Sequence, residues 1–188
     1  MGLDYRNVSV NLLAGEHRGP DNLARNPQGL VPTLEIDGLT LTQSLAILEY
    51  LDETRNAKLL PKDAAARARV RALAYAIAME IHPICNLGVM RHAVAASDGA
   101  ITNESWSQHF ITQGLAAFEA LLDNPATGRF CHGDTLCLAD ICLVPQVYNA
   151  RRWGVDLSTL SRINAVMAEL EKLPAVVAAH PDRWKPSE

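Results

Sequence analysis

Residues 26–51 compress a turn, a Val-Pro step, a hairpin and a helix start into one short segment, and that order constrains the fold more than anything else in the chain. Thr33, Leu34, Glu35 and Ile36 alternate polar and apolar, the pattern of a half-buried strand. Asp37-Gly38 is a two-residue hairpin signal, and Leu39-Thr40-Leu41-Thr42 returns as the second strand. Gln43-Ser44 then opens a helix with Leu45, Leu48 and Leu51 on one face. A helix start carries unpaired N–H groups and a partial positive charge, so it stabilises an anion such as a carboxylate. Gln43 and Ser44 offer further hydrogen bonds there, although Ser44 taken alone reads first as an ordinary N-cap. Pro32 has no N–H and suits a strand start or edge. A trans Val31-Pro32 bond is the ordinary state. A cis bond would turn the backbone N–H and C=O of Val31 towards a ligand.

The chain divides between Asn56 and Asp63. Residues 1–57 read as a small α+β domain. Its parts are a strand over residues 5–12 with Val8, Val10 and Leu12 on one face, a loop at 15–20, a short helix or turn at 21–25, the hairpin and the helix. Residues 63–188 read as all helix. Residues 64–96 are alanine-rich. Residues 105–122 place Phe110, Leu115, Phe118 and Leu122 in the core, and residues 160–173 place Ile163, Val166, Leu170 and Leu173 on one face. The helix at 138–148 starts at Cys137, with Asp140 spaced for a capping box and Leu136 and Ile141 spaced for a hydrophobic staple. A thiol is a poor acceptor, so this cap is expected to be weaker than a threonine cap by roughly 0.5–1 kcal/mol. Nothing near Cys137 in sequence marks it as a reactive thiol.

Composition narrows the function classes. The chain has 188 residues, 48% of them apolar and 20% charged, an ordinary globular profile with enough length for a sizeable core. A net charge of −4 with no basic block argues against nucleic acid as a partner. No apolar run reaches the length of a membrane span. Cys85, Cys131, Cys137 and Cys142 show no zinc-like spacing and read as reduced thiols of a cytoplasmic protein. None of the six histidines falls in an HExxH pattern, and no metal site is expected.

Several motifs in fixed order now point to one family. They are the 26–51 segment, Ile81-His82-Pro83-Ile84-Cys85-Asn86-Leu87, Gly133-Asp134 with Leu138-Ala139-Asp140, Leu143-Val144-Pro145-Gln146-Val147, and residues 149–157 around Arg151-Arg152-Trp153. Together, over about 160 residues, they resemble the zeta class of glutathione transferases, best known for maleylacetoacetate isomerase, with a bacterial relative acting on maleylpyruvate. The resemblance implies a thioredoxin-like glutathione-binding domain followed by an all-helical domain, usually assembled as a homodimer. It implies covalent catalysis by glutathione: a thiolate adds to a cis double bond, the bond rotates, and elimination leaves the trans isomer. The substrates implied are small dicarboxylates, and the process is aromatic amino-acid (tyrosine and phenylalanine) degradation.

Position by position, the resemblance assigns Val31 to backbone pairing with the cysteinyl part of glutathione. It assigns Gln43 and Ser44 to the γ-glutamyl carboxylate and amine, and His17 to a polar contact. His82 and Asn86, read as one helical turn apart, would face the cofactor from the second domain, with Leu87 and Gly88 following. Alternatively, His82 and Asn86 satisfy backbone groups freed by a bend at Pro83. Arg152 would take a substrate carboxylate through two parallel hydrogen bonds, while either Arg151 or Arg152 could instead be a solvated cation at a helix C-terminus. Relatives that isomerise maleylpyruvate tend to have an arginine where Leu87 stands, which tilts the expectation to maleylacetoacetate. The family's thiol-activating motif would precede Met1, together with its first strand and helix. The catalytic group is therefore unknown, and residues 1–188 alone are expected to be inactive. A non-catalytic protein of the same fold is the competing reading.

Overall fold

The structure, a computed structural model, describes residues 2–184. Two compact units divide after Leu59.

The first unit has a 3-10 turn at Glu16–Arg18, within the segment expected as loop, then α1 (Pro20–Arg25), β1 (Thr33–Ile36), β2 (Leu39–Thr42) and α2 (Ser44–Arg55). β1 and β2 are antiparallel, with Thr33 opposite Thr42 and Ile36 opposite Leu39. The turn between them needs positive φ at both central residues, and Asp37 (φ 53°) and Gly38 (φ 75°) supply it. The Asp37 carboxylate accepts from Arg55 Nη2 at 2.6 Å and from the Tyr50 hydroxyl at 2.7 Å. Those two bonds fasten the hairpin tip to the C-terminal half of α2. The Arg55 guanidinium, with the Tyr50 hydroxyl, holds the Asp37 carboxyl below its ordinary range.

Residues 5–12 do not form the expected strand. Among the described residues the sheet has two strands, β1 and β2, and Tyr5, Val8 and Leu12 are exposed. Alternation produces a strand only where a neighbour accepts its N–H groups and donates to its carbonyls, and no described segment does so here.

The second unit is helical: α3 (Ala64–Ala78), α4 (Leu87–Ala96), α5 (Asn103–Leu121), α6 (Leu138–Arg152), α7 (Ser161–Leu170) and α8 (Pro174–Ala178), with a 3-10 turn at Pro181–Arg183. α3 packs chiefly on α6. Val70, Ile111, Leu115, Phe118, Leu143 and Ile163 are completely buried between the helices. Phe110, expected in the core, is half-buried and lies against Trp106 with ring centroids 4.6 Å apart. The alanine-rich stretch is not one helix. It leaves α3 at Met79 and resumes at Leu87, with Pro83 in the intervening turns, where its missing N–H and its ring disfavour regular helix.

The capping box expected at the start of α6 is present, and its acidic residue reaches further than the motif. The completely buried Asp140 carboxylate accepts from the backbone N–H of Cys137 at 2.8 Å and of Cys131 at 2.9 Å. It therefore ties the helix start to the preceding loop as well as closing the box with Cys137. Arg69 of α3 donates to the Cys131 carbonyl at 2.8 Å and the Thr127 hydroxyl at 2.8 Å, gripping the same loop from the other side. On α5, Glu119 accepts from the N–H groups of Arg162 and Ile163, both at 2.9 Å, and so caps α7 across the core. Among the described residues no helix is long and apolar enough to cross a membrane.

Candidate functional site

In the first unit the hairpin register brings the expected ligand-facing residues to one end. Thr33 pairs with Thr42, so Val31, two residues before Thr33, and Gln43, one after Thr42, leave the ladder at the same end. The Val31-Pro32 bond is cis. Val31 is 43% exposed, and among the described residues neither its N–H nor its C=O has a protein partner. The loop leading to it is fixed from within. Buried Asn26 donates to the Leu30 carbonyl at 2.9 Å and accepts from the Gln28 N–H at 3.0 Å. Gln43 Nε2 donates to Gln28 Oε1 at 2.9 Å, joining this loop to the start of α2.

Ser44 is the first residue of α2, not its N-cap. That position belongs to Gln43, at φ 68°, a conformation that non-glycine residues adopt rarely. No side chain caps α2, and its first turn holds no acidic residue. The N–H groups of this turn thus stand at an exposed helix start beside the Ser44 hydroxyl. His17 sits in the 3-10 turn, where its carbonyl accepts from Asn22 at 2.8 Å. An ideal Cβ on Gly29 would lie 3.3 Å from that carbonyl, so this turn packs closely on the 26–32 loop. His17 Nδ1 is buried and has no partner among the described residues.

In the second unit, His82 lies in the turns between α3 and α4, and Asn86 is the N-cap of α4, with Leu87 and Gly88 as its first residues. His82 and Asn86 are therefore not one turn apart on a helix, because α3 ends at Ala78 and the chain runs through turns until α4 begins at Leu87. Two long-range features hold this turn in place. Trp106 Nε1 of α5 donates to the Ile84 carbonyl at 2.9 Å. Ile81, 1% exposed, fills the space that a side chain at Gly114 would need.

The two arginines ending α6 separate clearly. Arg151 pairs with Glu171 at 2.7 Å. Arg152 is exposed, makes no ion pair among the described residues, and rests its guanidinium 5.6 Å from the Trp153 ring centre. Gln28, Trp106 and Gln108 were not marked by sequence reasoning, since each acts through a partner 15 to 45 residues away. The thiols are poor nucleophiles. Burial, helped by the Asp140 charge, pushes Cys137 and Cys142 each up to about 12, and pushes Cys131 higher still.

Residues 1–53 match the family model for the glutathione S-transferase N-terminal domain. The whole chain is similar to the maleylacetoacetate isomerase of Rhizobium meliloti (strain 1021), 59% identical over 187 residues, which span 98% of this chain and 88% of that protein. Among solved structures it resembles the holo form of maleylpyruvate isomerase, a bacterial zeta-class glutathione transferase. That likeness has a TM-score of 0.92 and 41% identity, over 100% of this chain and 89% of the other. It equally resembles the maleylacetoacetate isomerase of Methylobacterium extorquens AM1 with bound malonate and glutathione, with a TM-score of 0.92 and 38% identity over 98% and 88%. The hairpin, the α2 start and the helical unit therefore have a shared origin, and the chain belongs to the maleylacetoacetate isomerase family, the zeta class of glutathione transferases.

Proposed function

We propose that this protein isomerises maleylacetoacetate to fumarylacetoacetate with glutathione as cofactor, in tyrosine and phenylalanine degradation, as a cytoplasmic homodimer. The observation that carries the reading is the end of the hairpin, where an unpaired Val31 backbone stands beside an uncapped, acid-free helix start. An extended peptide-like ligand with a terminal carboxylate suits that pair. The Val31 N–H and C=O would take the peptide groups, and the Ser44 hydroxyl with the α2 N–H groups would take the carboxylate. His17, Gln43, His82, Asn86, Leu87 and Gly88 are the remaining candidates for cofactor contacts. The four cysteines are free, which suits a reducing compartment.

When bound, glutathione supplies a thiol that adds reversibly to the cis double bond. The chain's own task is to hold the substrate while that bond rotates. Arg152 is the group for a substrate carboxylate: a planar, permanently charged fork whose neighbour Arg151 is already committed to Glu171. Glutathione and malonate held together in the Methylobacterium relative support pairing a thiol cofactor with a small dicarboxylate. The test mixes the natural protein with maleylacetoacetate, with and without glutathione, and follows the vinyl protons by NMR. Glutathione-dependent conversion to the trans isomer is expected. Turnover of maleylpyruvate alone would move the assignment to that substrate, and conversion of neither would leave a binding protein.

A further inference from the structure

Arg152 stands on the last turn of α6 with its guanidinium against the ring of Trp153, the C-cap residue. The carbonyls at a helix end have no intrahelical partner. The Trp153 carbonyl is taken by Gln108 Nε2 of α5 at 2.8 Å, across a sequence separation of 45 residues. The same amide donates to Glu104 Oε1 at 3.2 Å, one turn back along α5, so it is oriented from two sides. Among the described residues this is the one side-chain hydrogen bond made to the backbone of residues 151–155. The chain then reverses at Gly154 (φ 69°), where an ideal Cβ would sit 3.7 Å from Gln108 Nε2.

We propose that Gln108 is a positioning residue for Arg152. By holding the Trp153 carbonyl it fixes the backbone of the C-cap residue, from which the indole beneath the guanidinium projects, and so helps set the direction in which that fork meets a carboxylate. The inference rests on the reading of Arg152 as the carboxylate-binding group. Two parallel hydrogen bonds demand a defined plane, so a small rotation of Trp153 is felt at the ligand. A simple helix cap would have a different signature: it would lower stability and leave the arginine's selectivity for dicarboxylates intact.

The test uses Gln108→Met, which keeps side-chain length and removes both donors, in the full glutathione-saturated protein. Calorimetry reads malonate affinity, and initial rates read KM for maleylacetoacetate. Malonate binding is expected to weaken about tenfold, in the range of a misplaced positioning contact, with KM rising in parallel and glutathione affinity unchanged. The double variant Gln108→Met/Arg152→Met should bind malonate no more weakly than Arg152→Met alone, because both act through one group. Additive losses, or unchanged malonate affinity in Gln108→Met while Arg152→Met is damaging, would overturn the proposal and spare Arg152. An inert Arg152→Met, or a wild-type protein with no affinity for malonate, would overturn both. Malonate binding that depends on Arg152 and Gln108, in a protein that isomerises nothing, would uphold this proposal and remove the isomerase reading.

Discussion

Replacing Asp140 with alanine should unfold the second unit far more readily than any surface change. The carboxylate is completely buried and accepts from two backbone N–H groups, those of Cys131 and Cys137, which are 0% and 4% exposed. Alanine would leave both donors buried without a partner, at about 1–3 kcal/mol each. Loss of the acidic group from the first turn of α6 adds about 0.3–1 kcal/mol. The expected destabilisation is therefore roughly 2–7 kcal/mol, against a typical net stability of about 5–15 kcal/mol. Asp140→Asn keeps one acceptor oxygen and turns an amide towards the other donor, so it should fall between alanine and wild type. The chain's three tryptophans, Trp106, Trp153 and Trp184, all follow Leu59, so their fluorescence in a urea titration reports the second unit alone. A stability for Asp140→Ala within about 1 kcal/mol of wild type would refute the reasoning, because a single lost hydrogen bond already costs that much.

Ser44→Ala should weaken glutathione binding by about 1–3 kcal/mol, the worth of hydrogen bonds to a charged group; unchanged affinity by calorimetry would remove Ser44 from the site. Gly114→Ala places a Cβ 2.4 Å from Ile81 Cγ1 and 2.5 Å from Cδ1, and Ile81 is buried and β-branched, with little room to turn. Overpacking of about 1–3 kcal/mol should outweigh the roughly 1 kcal/mol that alanine gains over glycine in a helix, lowering the urea midpoint; a raised midpoint would show that Ile81 yields freely. Cys137 and Cys142, each pushed up to about 12, should stay almost wholly protonated at pH 8, so a disulfide reagent should label them slowly in native protein and quickly in urea; rapid native labelling would contradict the burial of Cys137 or the raised pKa of half-buried Cys142.

The parts of the fold that sequence makes legible are those set by local rules. Asp37-Gly38 marks the hairpin because both residues tolerate positive φ, whereas Pro83 was expected to bend one long helix and the chain instead runs through turns between α3 and α4; proline alone does not decide this, since Pro145 lies inside α6. Residues 5–12 show the limit of the same reasoning, since their alternation states what a strand would look like without supplying a partner for it. The cap of α6 was legible by spacing, but the bond its carboxylate also makes to Cys131 lies outside the motif. Within the candidate site, Gln43 and Ser44 were marked by position, whereas the bond from Gln43 to Gln28 and that from Gln108 to Trp153 depend on tertiary placement. No periodicity signals them.

Gln43 occupies a positive-φ backbone conformation that glycine reaches more readily, and holding a side chain there costs about 1–3 kcal/mol. The fold therefore sets backbone ease at this position against the bond that its side chain makes to Gln28. Directed evolution for heat tolerance alone would drift to glycine here and lose the amide that braces the 26–32 loop. A library selected on stability and on ligand capture together should retain glutamine, so the residue frequency at this one position becomes a record of which pressure prevailed.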